Sequence, residues 1–125
     1  MPAELTSFGT GTTLELSAIV IRVLIAMACG AAIGLEREWR SHAAGLRTHI
    51  LVCMSAALVA ILTIEIAHHD AFTREAVKLD PIRLIEAVTA GVAFLAAGMI
   101  VFTKGEVKGL TTGAGLWFAG SIGLS

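Results

Sequence analysis

The sequence predicts an all-α, polytopic transmembrane bundle of about four helices, and three observations carry that expectation. From Leu16 to Leu35 the residues are apolar or small, broken by one charge, Arg22. At a rise of about 1.5 Å per residue, such a helix crosses the roughly 30 Å hydrocarbon core of a bilayer. Three further stretches follow at His49 to Ile66, Ile82 to Phe102 and Leu110 to Leu124, the last short for a full crossing. Finally, 56% of the 125 residues are hydrophobic and only 15% charged, far less charge than a soluble domain of this length displays.

The first stretch reads as a retained helix and not as a cleaved leader. Met1 to Leu16 holds Glu4 and Glu15 but no Lys or Arg, and the apolar run exceeds a signal-peptide core. It ends on Glu36-Arg37-Glu38-Trp39-Arg40, expected as an inter-helix segment with Trp39 anchoring at the headgroups. The second helix begins at His49 and the third after Asp80-Pro81. The fourth opens on Thr111 and Thr112, positioned to cap it. Its closing residues, Gly123-Leu124-Ser125, carry no polar flank, so the chain is expected to be one membrane domain that is truncated there.

Orientation follows from the basic residues. Arg37, Arg40 and Arg47 lie between helices one and two, and Lys104 and Lys108 between three and four. Only Arg74, Lys78 and Arg83 fall near the intervening loop. The excess places the first and third loops in the cytoplasm and the amino terminus and the Thr63 to Leu79 loop outside. A net charge of −1 without a basic stripe excludes nucleic acid as a partner. The lipid bilayer is the implied environment.

Rows of small residues mark helix contact faces: Ala26, Gly30 and Gly34; Thr89, Ala93 and Ala97; Gly115, Ala119 and Gly123. Helix association in lipid depends on such close packing. Cys29 and Cys53 read as packing residues that bring their sulfurs near one another. His68-His69-Asp70 reads as a solvated loop, since no further ligand stands at metal-binding spacing, and no cofactor is expected. Trp117, mid-helix, requires a partner for its N–H across an interface.

Two groups of polar residues stand apart. At the membrane edge, two carboxylates, three arginines, Thr48 and His49 crowd one short connection; either a salt-bridged interface loop or a binding site accounts for them, and spacing favours the loop. Glu36 or Glu38 is expected to pair with Arg47. Within the spans, Arg22 lies about 9 Å and Glu86 about 6 Å from the outer ends of helices one and three. Similar depth suggests an ion pair joining those helices, the alternative being that each snorkels to the headgroups.

Gly34-Leu35-Glu36-Arg37-Glu38, Ala44-Gly45-Leu46-Arg47-Thr48-His49, Asp80-Pro81 with Arg83, and Gly109-Leu110-Thr111-Thr112 followed by Leu116-Trp117 resemble the signature of the MgtC/SapB family of bacterial membrane proteins. The match runs from about Arg22 to Gly123, and the resemblance implies that residues 1–125 are the membrane domain alone, truncated before the family's fifth helix and with no soluble carboxyl-terminal domain. Helix three departs from it, with Ala90-Gly91-Val92-Ala93-Phe94-Leu95-Ala96-Ala97-Gly98 where the family has more glycine, and Ala87 where it has Gln.

The resemblance implies a multi-pass protein of the bacterial inner membrane, linked to magnesium limitation, survival in host phagocytes and virulence. It implies a regulator of other membrane proteins, ATP synthase among them, more than a magnesium pump. No nucleotide-binding loop or phosphorylatable Asp motif is present, and no nucleophile constellation, so no enzyme is expected. The competing expectation is an ion or small-solute permease, acting as a homo-oligomer with intramembrane charges along its path.

Overall fold

A computed structural model describes residues 13–68, 80–103 and 105–125. The described elements are α1 (Leu16–Trp39), α2 (Leu46–His68), α3 (Pro81–Met99), a two-stranded hairpin of β1 (Val101–Thr103) and β2 (Glu106–Lys108), and α4 (Leu110–Leu124). Helices α1, α2 and α3 are each long and apolar enough to cross a membrane. The 15 residues of α4 extend about 22 Å, less than a full hydrocarbon core. The first twelve residues, most of the loop before Asp80, including His69 and Asp70, and Lys104 lie outside the described residues.

Helix boundaries depart from expectation at three places. Glu36 to Trp39 are helical and not an inter-helix segment, for Glu, Arg and Trp carry no helix-breaking chemistry and Glu36 Oε1 lies 3.0 Å from Arg40 Nε across one turn. The chain then turns through Ser41, the one described non-glycine residue at positive φ (54°), so the connection shrinks to Arg40–Gly45 and α2 starts at Leu46. At the far end α3 stops at Met99. Ile100 turns extended, and the following Val-Phe-Thr pairs antiparallel with Glu106–Lys108, Phe102 opposite Val107, around Gly105 at φ 79°. Branched and aromatic residues beside a glycine turn favour a hairpin over another helical turn.

The helix starts show what local chemistry can do. Asp80 accepts from Ile82 N at 3.0 Å and Pro81 occupies the first helical position, a conventional opening for α3. The fourth helix is capped otherwise than expected. Gly109 is the N-cap, at φ 90°, and a side chain there would run into the Met99 carbonyl; neither Thr111 nor Thr112 caps the helix.

Packing is organised around α2. It runs antiparallel to α1 and parallel to α4, and α4 in turn carries α3. The α1–α2 contact is backbone to backbone. A β-carbon on Gly30 would lie 2.7 Å from His49 O and 2.8 Å from Ile50 Cα, and one on Gly34 would lie 2.7 Å from Leu46 Cα. Likewise Gly123 of α4 rests on the Cys53 carbonyl, one turn beyond the point where Cys53 Sγ donates to Ala119 O at 2.9 Å. In lipid, where apolar burial gives no net drive between helices, such approach supplies the dispersion contacts that hold a bundle. The sulfur of Cys53 thus donates to α4, and both thiols are free.

The hairpin of α1 and α2 is clamped at both ends by carboxylates. Glu38, in the last turn of α1, accepts from Leu46 N, the first residue of α2, at 2.9 Å. Glu65, near the end of α2, accepts from Thr13 N at 2.8 Å and Leu14 N at 2.7 Å, just before α1 begins. Glu38 therefore supplies an anionic partner for an unpaired N–H group at the start of α2, while Glu65 ties down the segment that leads into α1. Glu38→Ala should cost about 1 kcal/mol in reversible unfolding in micelles. Gly45→Ala should match it, because a methyl group there occupies the position of the Glu38 carboxylate. Equal stability of both variants and the wild type would dismiss the clamp.

Candidate functional site

Three buried side-chain nitrogens without a hydrogen-bond partner gather where α1 passes into α2: Arg37 Nε, His42 Nδ1 and His49 Nε2. Each comes from a different local cause. Arg37 sits on the α1 face turned toward the bundle, one helical turn before the reversal. Its Nε lies 3.2 Å from Glu36 Oε2, close enough to pair in charge but out of line for a hydrogen bond. His42 follows in the reversal, its backbone N–H returning to Arg37 O at 3.1 Å.

His49 is the centre of the arrangement. It is fully buried in the first turn of α2, with Nδ1 2.8 Å from the Gly45 carbonyl. A carbonyl only accepts, so Nδ1 carries the proton and, in the neutral ring, Nε2 presents a lone pair. That lone pair faces α4 at Gly115. A β-carbon there would stand 3.3 Å from His49 Nε2 and 3.8 Å from Arg37 Nε, so glycine lets both polar groups approach the α4 backbone together. Thr112 and Leu116, both buried, close the same wall. One polar knot thereby joins α1, α2 and α4 at the charged end of the bundle.

The remaining residues singled out by sequence fall into separate places. Gly34 underlies His49, 3.1 Å from its Cβ were a side chain present, and Gly45 seats Glu38. Glu36 pairs with Arg37 and Arg40, and Glu38 with the Leu46 amide. Arg47 is exposed and, among the described residues, takes part in no ion pair, so the expected Glu–Arg47 pair does not form. Thr48 lines a cleft between α2 and α3. Asp80, Pro81 and Arg83 lie at the opposite end of the bundle, exposed. Thr111 is exposed, and so is Trp117, at 48%: it lies on the outer surface of α4 and is not an interfacial donor.

Arg22 and Glu86 are not brought together. α1 and α3 are separated by α2 and α4, both side chains are exposed, and neither takes part in an ion pair among the described residues. Their similar depth can be read along the chain, but helix order around the bundle cannot. Glu65 was not among the residues singled out by sequence, and Gly115 was singled out only as a packing residue. The signal for Glu65 was present, an acidic residue one turn from the end of an apolar span. Gly115 looked like any other member of a packing row.

No group of three or more His, Cys, Asp or Glu able to hold a metal occurs among the described residues. The knot contains no nucleophile set beside a base and an orienting group. What it can do chemically is tie the end of α1 and the start of α2 to the first half of α4 through buried polar groups.

The family model described as the MgtC family matches residues 23–125, which contain all the residues of this knot. The chain belongs to the MgtC family. It is 42% identical over 106 residues to YhiD of Escherichia coli K12, whose name proposes a magnesium transporter, covering 85% of this chain and 48% of YhiD. It is 37% identical over 109 residues to SapB of Bacillus subtilis, covering 86% and 46%. With MgtC of Salmonella typhimurium LT2 it shares 39% over 105 residues, covering 84% and 41%. The chain thus spans about half the length of the MgtC-family relatives it matches. No solved structure matches. MgtC-family membership and the apolar helices establish a membrane protein, and none of these relatives' names points to an enzyme.

Proposed function

We propose that this chain is a non-enzymatic protein of the bacterial inner membrane that regulates partner membrane proteins during adaptation to low magnesium and host-related stress. The observation that supports this reading is the closure of the bundle. Gly30, Gly34 and Gly123 put backbone against backbone along α2, so the helices of one chain pack directly on one another, and the buried nitrogens without a partner collect at one end. A bundle of this kind displays groups to a neighbour, here Glu36, Arg40 and exposed Trp39 beside the knot. ATP synthase is the partner class that the family resemblance suggests.

Proteoliposomes test the proposal. The purified chain should move no magnesium above the leak of protein-free vesicles, whereas its addition to inverted membrane vesicles should change ATP-driven proton pumping. The second reading, a magnesium-linked permease, draws on the name given to YhiD. Magnesium flux from the chain alone would establish that reading and remove the first.

Orientation is testable in the same membranes. With the charged end cytoplasmic, a thiol introduced at Ser41 in a Cys29→Ala background should stay protected from an impermeant reagent in intact cells and react after permeabilisation. Buried Cys53 should stay silent in both conditions.

A further inference from the structure

Charges inside a bilayer span are expensive unless paired, and two of them here are left exposed on separate edges of one bundle. Arg22 lies six residues into α1, about 9 Å, and Glu86 five residues into α3, about 7.5 Å, measured from the same end. Arg83, one turn from Glu86, forms no ion pair with it. Among the described residues neither Arg22 nor Glu86 takes part in an ion pair within its own chain.

The surroundings of the two charges are complementary as well. Glu86 heads a ridge continued by Ala90, Ala93 and Ala97, which share one face of α3 at helical spacing and are all exposed. Only Ala96 of α3 is buried, and Phe94 beside the ridge is 84% exposed. Arg22 stands at the rim of a cleft of about 340 Å³ whose floor is Ala26, Ala57, Ile61 and Ile122, between α1, α2 and the end of α4. A ridge of alanines laid into an apolar cleft is the close helix approach that stabilises association in lipid.

We propose that this chain self-associates in the membrane, α3 of one copy seated in the Arg22 cleft of the next, with Arg22 paired to the partner's Glu86. The two surfaces lie on different edges and the two charges at the same end, so the contact is head to tail between copies of the same orientation. Such contacts close into a ring about an axis normal to the membrane if the rotation between copies closes, and otherwise extend as an open row in the membrane plane. The inference does not depend on whether the chain regulates or transports.

Charge reversal in two separately labelled copies tests it. The full chain, in vesicles of phosphatidylethanolamine and phosphatidylglycerol, would be followed by energy transfer between donor- and acceptor-labelled copies. Arg22→Glu alone and Glu86→Arg alone should each lower self-association about tenfold or more, since each sets like charges against one another. Mixing the two variants should restore transfer to within about twofold of the wild type, because each then meets its complement on both edges. The chain carrying both reversals should self-associate again. Transfer in the single variants equal to the wild type, or a mixture no better than either alone, would overturn the proposal, as would a wild type that stays monomeric. Should a reversal reduce helix content by circular dichroism, Arg22→Gln and Glu86→Gln serve instead: each alone should stay weak, because every contact then lacks one charge, while their mixture regains the intact Arg22–Glu86 contact between unlike copies and falls between either variant and the wild type. Full association of either neutral variant alone would likewise overturn it.

Discussion

Gly30→Leu and Gly34→Leu should each separate α1 from α2 and lower the stability of the bundle by about 3 kcal/mol, the upper range for overpacking. The obstacles are backbone atoms: His49 O and Ile50 Cα for Gly30, Leu46 Cα and O for Gly34. A flexible side-chain tip can turn aside, but a neighbouring helix backbone can only retreat, and retreat dissolves the close approach on which the pair depends. Gly34 has the wider consequence, for the same displacement moves His49 and opens the polar knot. Gly91→Ala and Gly98→Ala are the controls. A side chain at either meets nothing within 4 Å, so each should be neutral or stabilising by up to about 1 kcal/mol through helix propensity. Reversible unfolding in mixed micelles measures all four. Similar losses at Gly30 and Gly91 would show that helix approach is not what glycine provides here.

A second large effect is expected at His49. His49→Ala removes a fully buried ring and its bond to Gly45, and should cost about 2 kcal/mol, chiefly through the cavity left behind. The Gly45 carbonyl keeps its helical bond from His49 N, so it is not orphaned. His49→Leu refills the volume without the unpartnered Nε2 and should stay within about 1.5 kcal/mol of the wild type. The two variants separate structure from function. A folded His49→Leu protein that no longer alters its partner would assign the imidazole nitrogen a role beyond packing, and full regulation would reduce the knot to a helix clamp. Arg47→Gln, at an exposed residue of the same turn, should change stability by less than about 0.5 kcal/mol.

The site was partly legible. Glu36, Arg37, Glu38 and His49 stand out as polar residues at the edge of apolar spans, and their crowding is visible in any reading of the chain. Their partners were not. The charge on Arg47 looked like the natural complement for Glu38, but Glu38 turns to the Leu46 amide. An N–H at a helix start has no intrahelical acceptor, and that need outweighs an exposed ion pair. Gly115 could not be distinguished from the packing glycines, because its neighbours come from α1 and α2, distant in sequence.

By itself the sequence determined that this chain crosses a membrane, where its helices lie to within a few residues, and that small residues make their contacts. Apolar length and residue size act locally, and both can be read along the chain. Tertiary structure decided the rest: that α2 stands between its neighbours, that Glu38 caps α2 while Glu65 holds the segment before α1, and that Arg37 and His49 meet over Gly115. It also decided that Arg22 and Glu86, equal in depth, face outward on different edges. Depth follows from counting residues along one helix, but azimuth depends on which helices touch, and that is set by packing among segments far apart in the chain.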